Sequence, residues 1–517
     1  MPASKKQIIA TIKSNRNLIL MLIGYSGFFA FITYFLFQRM GGFGCFDDCF
    51  NFGGGYFILK GQAIYKDFFF NHGFIAAYIS ALIQYLSPLE FIQGIIISHR
   101  LFIYSFSFLL GLLLIIRFRQ PAFATLIFYE ALKFYTFGDR FLAESMVIYP
   151  LIYLTFLVWE KLNKRTILKI DYILTGIFAW FIIFSREPYA PLTLFLFFII
   201  LIGRKDLKLK IYSIIAFLIP TSISFIFVPF NWFFINVFTY NKHQIGEEFG
   251  KTTNNPVFII FYPFIVFLKG QWNVLRQAEI FFSLVFLITG VFYSVKLRRI
   301  GFLVLFLILA LGNNRPTMPG FIFYQAYHMN IWFGLLIAST FLVVFELTNL
   351  KPKMKPYLLV PFLFLFALIF FSKFYFINEN VNKAQEFSLS YSQYHVYSEA
   401  IKKLSKPTDT LYLEEKDEVI YPLSERPAPY KYNWYTSFMP TISLYKTERD
   451  KMMKNSVPDF YYDACLIVQR NWKDPSAYTR IQIYDEPSCL LIKKSKLKEI
   501  DQTKWDSVSY LGFKAPK

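Results

Sequence analysis

Apolar runs of some 15–26 residues recur through the first 374 positions of this 517-residue chain, and the gaps between them alternate in charge. One set of gaps is basic. It comprises Lys5, Lys6, Lys13 and Arg16, then Arg117 and Arg119, Lys161 to Lys169, Arg204 to Lys210, Lys296 to Arg299, and Lys351 to Lys355. The other set holds isolated polar residues: Asp47, Asp48 and His72, then Asp139, Arg140 and Glu144, then Arg186 and Glu187, then Arg315. Runs of this length approach or exceed what crosses a hydrocarbon core of ~30 Å at ~1.5 Å per residue. Short loops rich in Lys and Arg face the cytoplasm. The pattern therefore predicts an α-helical polytopic membrane protein with about eleven transmembrane helices and a cytoplasmic N-terminus. The expected crossings are 17–38, 91–116, 121–137, 142–159, 171–186, 189–203, 211–229, 277–295, 300–314, 324–346 and 357–374.

Composition agrees, since 55% hydrophobic residues and a mean hydropathy of +0.41 exceed what a soluble domain carries. The net charge of +20 does not point to nucleic acid. The positives sit at run ends and in the tail, where they set topology and meet anionic headgroups, and no recognition motif accompanies them. No small-residue cleavage site follows the first run, which is expected to remain as a span. No Walker-type phosphate loop is present, which argues against an ATP-driven pump.

Two long loops fall on the outer side. The first, residues 39–90, carries the acid pair and ends in an apolar stretch, 74–86, expected to lie at the interface. The second, residues 230–276, is aromatic, then polar, with an apolar juxtamembrane segment at 257–268. From residue 375 the chain turns soluble in character. Strand-like runs at 410–413, 460–468, 481–483 and 489–492 and a helical stretch at 444–455 predict a small extracytoplasmic α/β domain over 375–517. The membrane domain would then be 1–374. All four cysteines, Cys45, Cys49, Cys465 and Cys489, fall outside, where disulfides persist, and Cys465 with Cys489 is one pairing the strands would allow. Cys45 and Cys49 flank the acids, but Cys-x3-Cys alone is a weak metal signal.

Several polar residues are candidates for chemistry. Asp47 and Asp48 could hold a divalent cation or supply a general base, against a reading as solvated or helix-capping acids. Asp139 and Glu144 are second-acid candidates, with a local Arg140–Glu144 pair as the plain alternative. Arg140, Arg186 and Arg315 suit phosphate oxygens, though arginines at run ends also snorkel to headgroups. His72, Tyr65, Tyr324 and His328 are further candidates for a cavity wall, and a histidine among aromatics is more often packed than catalytic.

These pieces resemble the polytopic glycosyltransferases of the GT-C fold, which use polyprenyl-phosphate-linked sugars and include protein O-mannosyltransferases and lipid A aminoarabinose transferases. Phe46-Asp47-Asp48-Cys49-Phe50 is similar to the family's acid pair. Gly61-Gln62-Ala63-Ile64-Tyr65-Lys66-Asp67 is similar to its Gly-x-x-x-Tyr-x-Asp stretch, Arg100 stands in the second span, and Asn314-Arg315-Pro316 precedes an aromatic span containing His328. In the tail, 409–413, 420–423 and 426–432 look like the outer domain of bacterial members. The second acid is Asp rather than the commoner Glu, and His72-Gly73 replaces a Pro-Pro or His-Pro step. The resemblance implies Asp47 as the base, Asp48 in support or on a metal, and arginines on the lipid phosphate. It further implies a polyprenyl-phosphate sugar donor, a glycan, lipid or protein acceptor, and inversion at the anomeric carbon. Rival readings are a lipid-linked oligosaccharide flippase, an O-antigen polymerase or ligase, and a structural membrane protein.

Overall fold

The computed structural model describes residues 5–37, 47–87, 91–203, 207–242, 274–297, 300–313, 326–371, 392–414, 419–429, 432, 434–435, 442–463 and 475–516. The described helices used below are α1 Lys5–Phe37, α2 Asp47–Leu59, α3 Phe74–Leu86, α4 Ile92–Phe118, α5 Gln120–Leu132, α6 Ala143–Leu162, α7 Lys169–Ser185, α8 Ala190–Leu201, α9 Leu207–Phe227, α10 Val274–Leu297, α11 Gly301–Gly312, α12 Ala326–Leu350, α13 Lys355–Phe371, α14 Ser392–Leu404 and α15 Ser443–Asn455. Every expected crossing coincides with a helix. Six helices are long and apolar enough to span a bilayer: those at Asn15–Phe35, Ile92–Phe118, Ala143–Leu162, Leu207–Phe227, Val274–Val295 and Tyr327–Leu350. The others are shorter, with α11 only 12 residues long.

The chain divides into two compact units built from interleaved segments. The first comprises Met1–Met40, Arg100–Ser222 and Thr253–Asn380. Its centre is α12 and α6, whose apolar windows are 94% and 83% buried, against 11% for α9 at the periphery. A helix apolar all round needs neighbours all round, and these two receive them. Gly334 on α12 permits the approach, since a Cβ there would sit 2.6 Å from Ile148 Cδ1 of α6. The basic helix ends gather at one end of this unit. Arg117 at the end of α4 donates to Asp171 of α7 at 2.9 Å and to Glu160 of α6 at 2.5 Å, and Asp171 also accepts from Tyr153 at 2.6 Å. Arg165 reaches Glu346 of α12 at 2.5 Å, and Tyr293 of α10 donates to Asn163 at 3.1 Å. Thus the carboxyl-terminal ends of α4, α6, α10 and α12 lie together, as an alternating thread requires.

The second unit comprises Gly41–His99, Ile223–Thr252 and Val381–Lys517. It contains most of the first long loop, about half of the second and the polar tail. The apolar stretch 74–86 is a helix, α3, packed on α2. Gly55 makes that contact close, because a Cβ would lie 2.6 Å from Ser80 Oγ and 2.7 Å from the Ala81 nitrogen. The tail builds a six-stranded mixed sheet from β1 Leu411–Glu414, β2 Trp434–Tyr435, β3 Phe460–Tyr462, β4 Tyr478–Ile483, β5 Glu486–Lys493 and β6 Phe513–Lys514, in the order β2-β1-β3-β5-β4-β6. β1 is parallel to β2 and β3, and α15 lies within the crossover to β3. β4 and β5 form a hairpin across Tyr484 and Asp485, both at positive φ (51° and 67°), the backbone of a two-residue turn. Four of the expected strand and helix segments are thereby found in place. Residues 464–468, the rest of the expected strand at 460–468, and the segment 257–268 lie outside the described residues.

Candidate functional site

In the second unit the acid pair opens α2, so both residues belong to the first turn, where backbone N–H groups and the helix dipole favour negative charge. The Asp47 side chain lies outside the described residues. Asp48 is fully buried, followed by buried Cys49, Phe50 and Asn51. A helix beginning at Asp47 makes the acids part of the helix itself rather than a cap or a solvated loop ahead of it. Cys49 and Cys489 are each disulfide-bonded, which removes the Cys49 thiolate as a metal ligand. Cys45 and Cys465 lie outside the described residues.

Behind the acids lies a polar relay that sequence reasoning missed. His99 of α4 sits with its Nε2 2.8 Å from Ser80 Oγ of α3, and its Nδ1 is 2.7 Å from the Ile95 carbonyl. A carbonyl only accepts, so Nδ1 carries the proton and Nε2 accepts from the serine hydroxyl. Gln84 fixes the same serine at 3.0 Å and donates to the Phe52 carbonyl at 2.8 Å. The Phe52 ring lies 4.2 Å from the imidazole, centroid to centroid. The available signal was the polar triplet Ser98-His99-Arg100 inside an otherwise apolar run. Of that triplet, the resemblance drew attention to Arg100 alone. Arg100 is buried in α4.

The other outer candidates in this unit converge through backbone contacts. The His72 ring meets Phe50 of α2 edge-on at 5.1 Å, and its carbonyl accepts from Tyr65 Oη at 2.7 Å. Tyr65 is fully buried at φ 68°, and its own carbonyl accepts from Asn236 Nδ2 at 3.2 Å. Asn236 Oδ1 accepts in turn from Tyr445 Oη of α15 at 3.1 Å. Burial first, then the neighbouring Tyr432 and Tyr240 phenols, push Tyr445 upward, so it stays a donor across the physiological range. Asn71 and Asn241 add a second link between the two loops, with Asn241 donating to the Asn71 carbonyl at 2.9 Å. Tyr65 therefore acts as a hinge pin of the loop, and His72 flanks the head of α2.

The remaining candidates belong to the first unit. Glu144 and Arg186 form a buried ion pair, Nε to Oε1 at 2.9 Å, joining α6 to the end of α7. The second-acid candidate and a phosphate-binding candidate are thus partners. Arg140 is buried with its guanidinium 4.5 Å over the Phe137 ring. Asp139 is 2% exposed. His328 is buried with its ring 4.3 Å from Tyr327. Arg315 and Tyr324 lie outside the described residues. Deeper in this unit Lys133 pairs with Glu130 at 2.6 Å, and Tyr149 donates to Glu130 at 2.5 Å. Among the described residues no group of three or more His, Cys, Asp or Glu side chains is placed to hold a metal ion.

Neither a protein-family model nor any curated protein sequence matches the chain.

Proposed function

We propose that this protein is a membrane glycosyltransferase that moves a sugar from a polyprenyl-phosphate carrier to an extracytoplasmic cell-envelope acceptor. The observation that carries the reading is the acid pair at the head of α2, inside a unit that also holds the loop and tail segments assigned by charge to the outer face. Acidic groups at a membrane boundary are costly, and a helix N-terminus favours their charge. On this reading all eleven helices cross the bilayer, with the shorter ones reaching across locally thinned membrane.

The reaction follows from the groups present. Asp47 takes the proton of the acceptor hydroxyl as its oxygen attacks the anomeric carbon. The bond from that carbon to the phosphate oxygen breaks, and polyprenyl phosphate departs as an anion stabilised by cationic side chains. Asp48, fully buried, supports the pair rather than meeting the acceptor. Direct attack inverts the anomeric centre. NMR assignment of the product anomer tests this: inversion is expected, and a product of retained configuration would remove Asp47 as direct base.

One observation favours the flippase as second reading. Glu279 of α10 is buried with neither carboxylate oxygen hydrogen-bonded among the described residues, as a group on a transport path would be between cargoes. Leaflet-to-leaflet movement of labelled lipid without sugar transfer would decide for it.

A further inference from the structure

Around α9 the chain carries more apolar sequence than one crossing needs. Residues 211–241 hold no Asp, Glu, Lys, Arg or His, whereas about 20 apolar residues suffice to span a bilayer. α9 ends at Phe227, and Pro229 just beyond it is extended (φ −64°, ψ 113°), so the chain changes direction there. Phe230–Phe233 is then α-helical and Phe234–Thr239 continues it as a π-helix, all within the second unit. This short helix is amphipathic without being charged. Phe233, Asn236 and Val237 are buried on one side, with Tyr240 just past the end. Asn236 is held there by the Tyr65 carbonyl and by Tyr445, and Tyr240 meets the Phe69 ring edge-on at 4.7 Å. Those contacts fix which side points out. On it stand Phe230, Phe234 and Phe238, spaced i, i+4, i+8 and 57%, 51% and 44% exposed.

What covers this row of phenylalanines is told by the surface it continues. The apolar window of α9 is 11% buried, and a helix apolar all round that leaves its side chains uncovered is one set in lipid. Its last turn runs into the row through ring contacts. Phe225 lies 5.2 Å from Phe230 and 5.9 Å from Phe233, Phe233 lies 5.8 Å from Phe238, and Phe238 stacks on Phe234 at 5.4 Å. On the other flank Phe74, at the head of α3, lies 6.2 Å from Phe233, and α3 turns Leu82 and Tyr85 outward. We propose that Phe230–Thr239 lies along the lipid surface at the end of α9, its phenylalanines among the upper acyl chains, and with α3 seats the second unit on the bilayer. The partner is membrane lipid, met through its acyl chains, since the row offers no charge to a headgroup. Because Asn236 ties this helix to Tyr65 and Tyr445, the footing sets the height at which the first long loop and the tail stand. That holds whatever reaction the unit carries out.

The test is the depth of spin labels. Full-length protein in phosphatidylcholine nanodiscs carries one nitroxide, at Phe230→Cys, Phe234→Cys or Phe238→Cys, each variant first shown to melt as wild type does. Collisions with oxygen, which concentrates in lipid, are compared with collisions with a water-soluble nickel chelate. Ile219→Cys in α9 serves as the lipid reference, and exposed Lys242→Cys as the water reference. Oxygen should be favoured at all three phenylalanine positions and nickel at 242. The three depths should agree to within about 3 Å and lie about 5–10 Å below the headgroups. A helix that merely extended the crossing would step by about 6 Å between successive labels, at ~1.5 Å per residue. Such a staircase, or nickel favoured at 234 and 238, overturns the proposal. Shielding from both reagents, with dipolar broadening between labels, would assign the row to a second copy of the chain and overturn it too. The oxygen preference should persist unchanged when phosphatidylglycerol replaces half of the phosphatidylcholine. A preference that appears only with the anionic lipid would contradict recognition through acyl chains.

Discussion

Glu144 and Arg186 show what a buried charge asks of its surroundings. Each was visible in the sequence as an isolated polar residue at a run end, but their partnership was not, because 42 positions and a helix turn separate them. The i, i+4 spacing of Arg140 and Glu144 suggested a local pair but gave no hint of the ion pair from Glu144 to Arg186 at the end of the next helix. Removing one partner strands the other charge in an apolar site, so Arg186→Met should cost about 3–5 kcal/mol of stability. The Arg186→Met, Glu144→Leu double variant should recover much of that in thermal unfolding. Equal destabilisation in single and double variants would mean the pair does not matter as a pair. His99 and Ser80 illustrate the opposite failure of sequence reading. Nothing in the local pattern says that a serine in one apolar helix and a histidine in another share a proton, since only their packing brings them to 2.8 Å.

At the scale of elements, hydropathy and turn chemistry said a good deal. The apolar runs became helices at each expected position, and the tail's alternating segments became strands of one sheet. What they could not say is which element meets which, because close contacts depend on single small residues. Gly55 is the example: Gly55→Ala drives a methyl into Ser80 and the α3 backbone, and should cost about 1–3 kcal/mol while loosening the Ser80–His99 bond. Unchanged melting in that variant would contradict the packing described for α2 and α3. In the tail, Lys496 lies 2.7 Å from Asp409 and 2.9 Å from Glu499. Burial pulls Lys496 down, but Asp409 and Glu499 outweigh it and the net shift is upward, while Lys496 and Lys406 hold Glu499 below its usual range. The lysine's contribution is present below its unfolded value of ~10.4 and fades only as pH rises through the raised folded value. The Glu499 contribution is present above its unfolded value of ~4.3 and is lost as pH falls through the depressed one. Lys496→Met should therefore lower the melting temperature at pH 7, with the gap narrowing under acid. A gap that widens under acid would contradict the clamp.

Along the whole sequence the two sets of gaps between apolar runs differ in charge. The basic clusters were legible from the first reading, and in the first unit they meet as an ion-pair lattice around Arg117, Asp171 and Glu160. That the first long loop, the start of the second and the tail assemble into one unit was not legible, because their contacts link residues 65, 236 and 445 through hydrogen bonds that leave no periodic trace. Membrane sidedness has its own test. Cys49 and Cys489 are disulfide-bonded, so neither competes with a single introduced thiol. In right-side-out vesicles an impermeant maleimide should label exposed Ser507→Cys in the tail and spare exposed Lys164→Cys in the α6–α7 loop. The reverse pattern would invert the topology and move the acid pair to the cytoplasm.

The most direct measurement is sugar transfer in proteoliposomes supplied with a panel of radiolabelled polyprenyl-phosphate sugars, comparing wild type with Asp47→Asn at matched folding. The account predicts transfer from at least one donor by wild type and a fall of 10²-fold or more in the variant, the scale of a lost general base. Equal transfer by both proteins, or none by wild type from any donor, would contradict it.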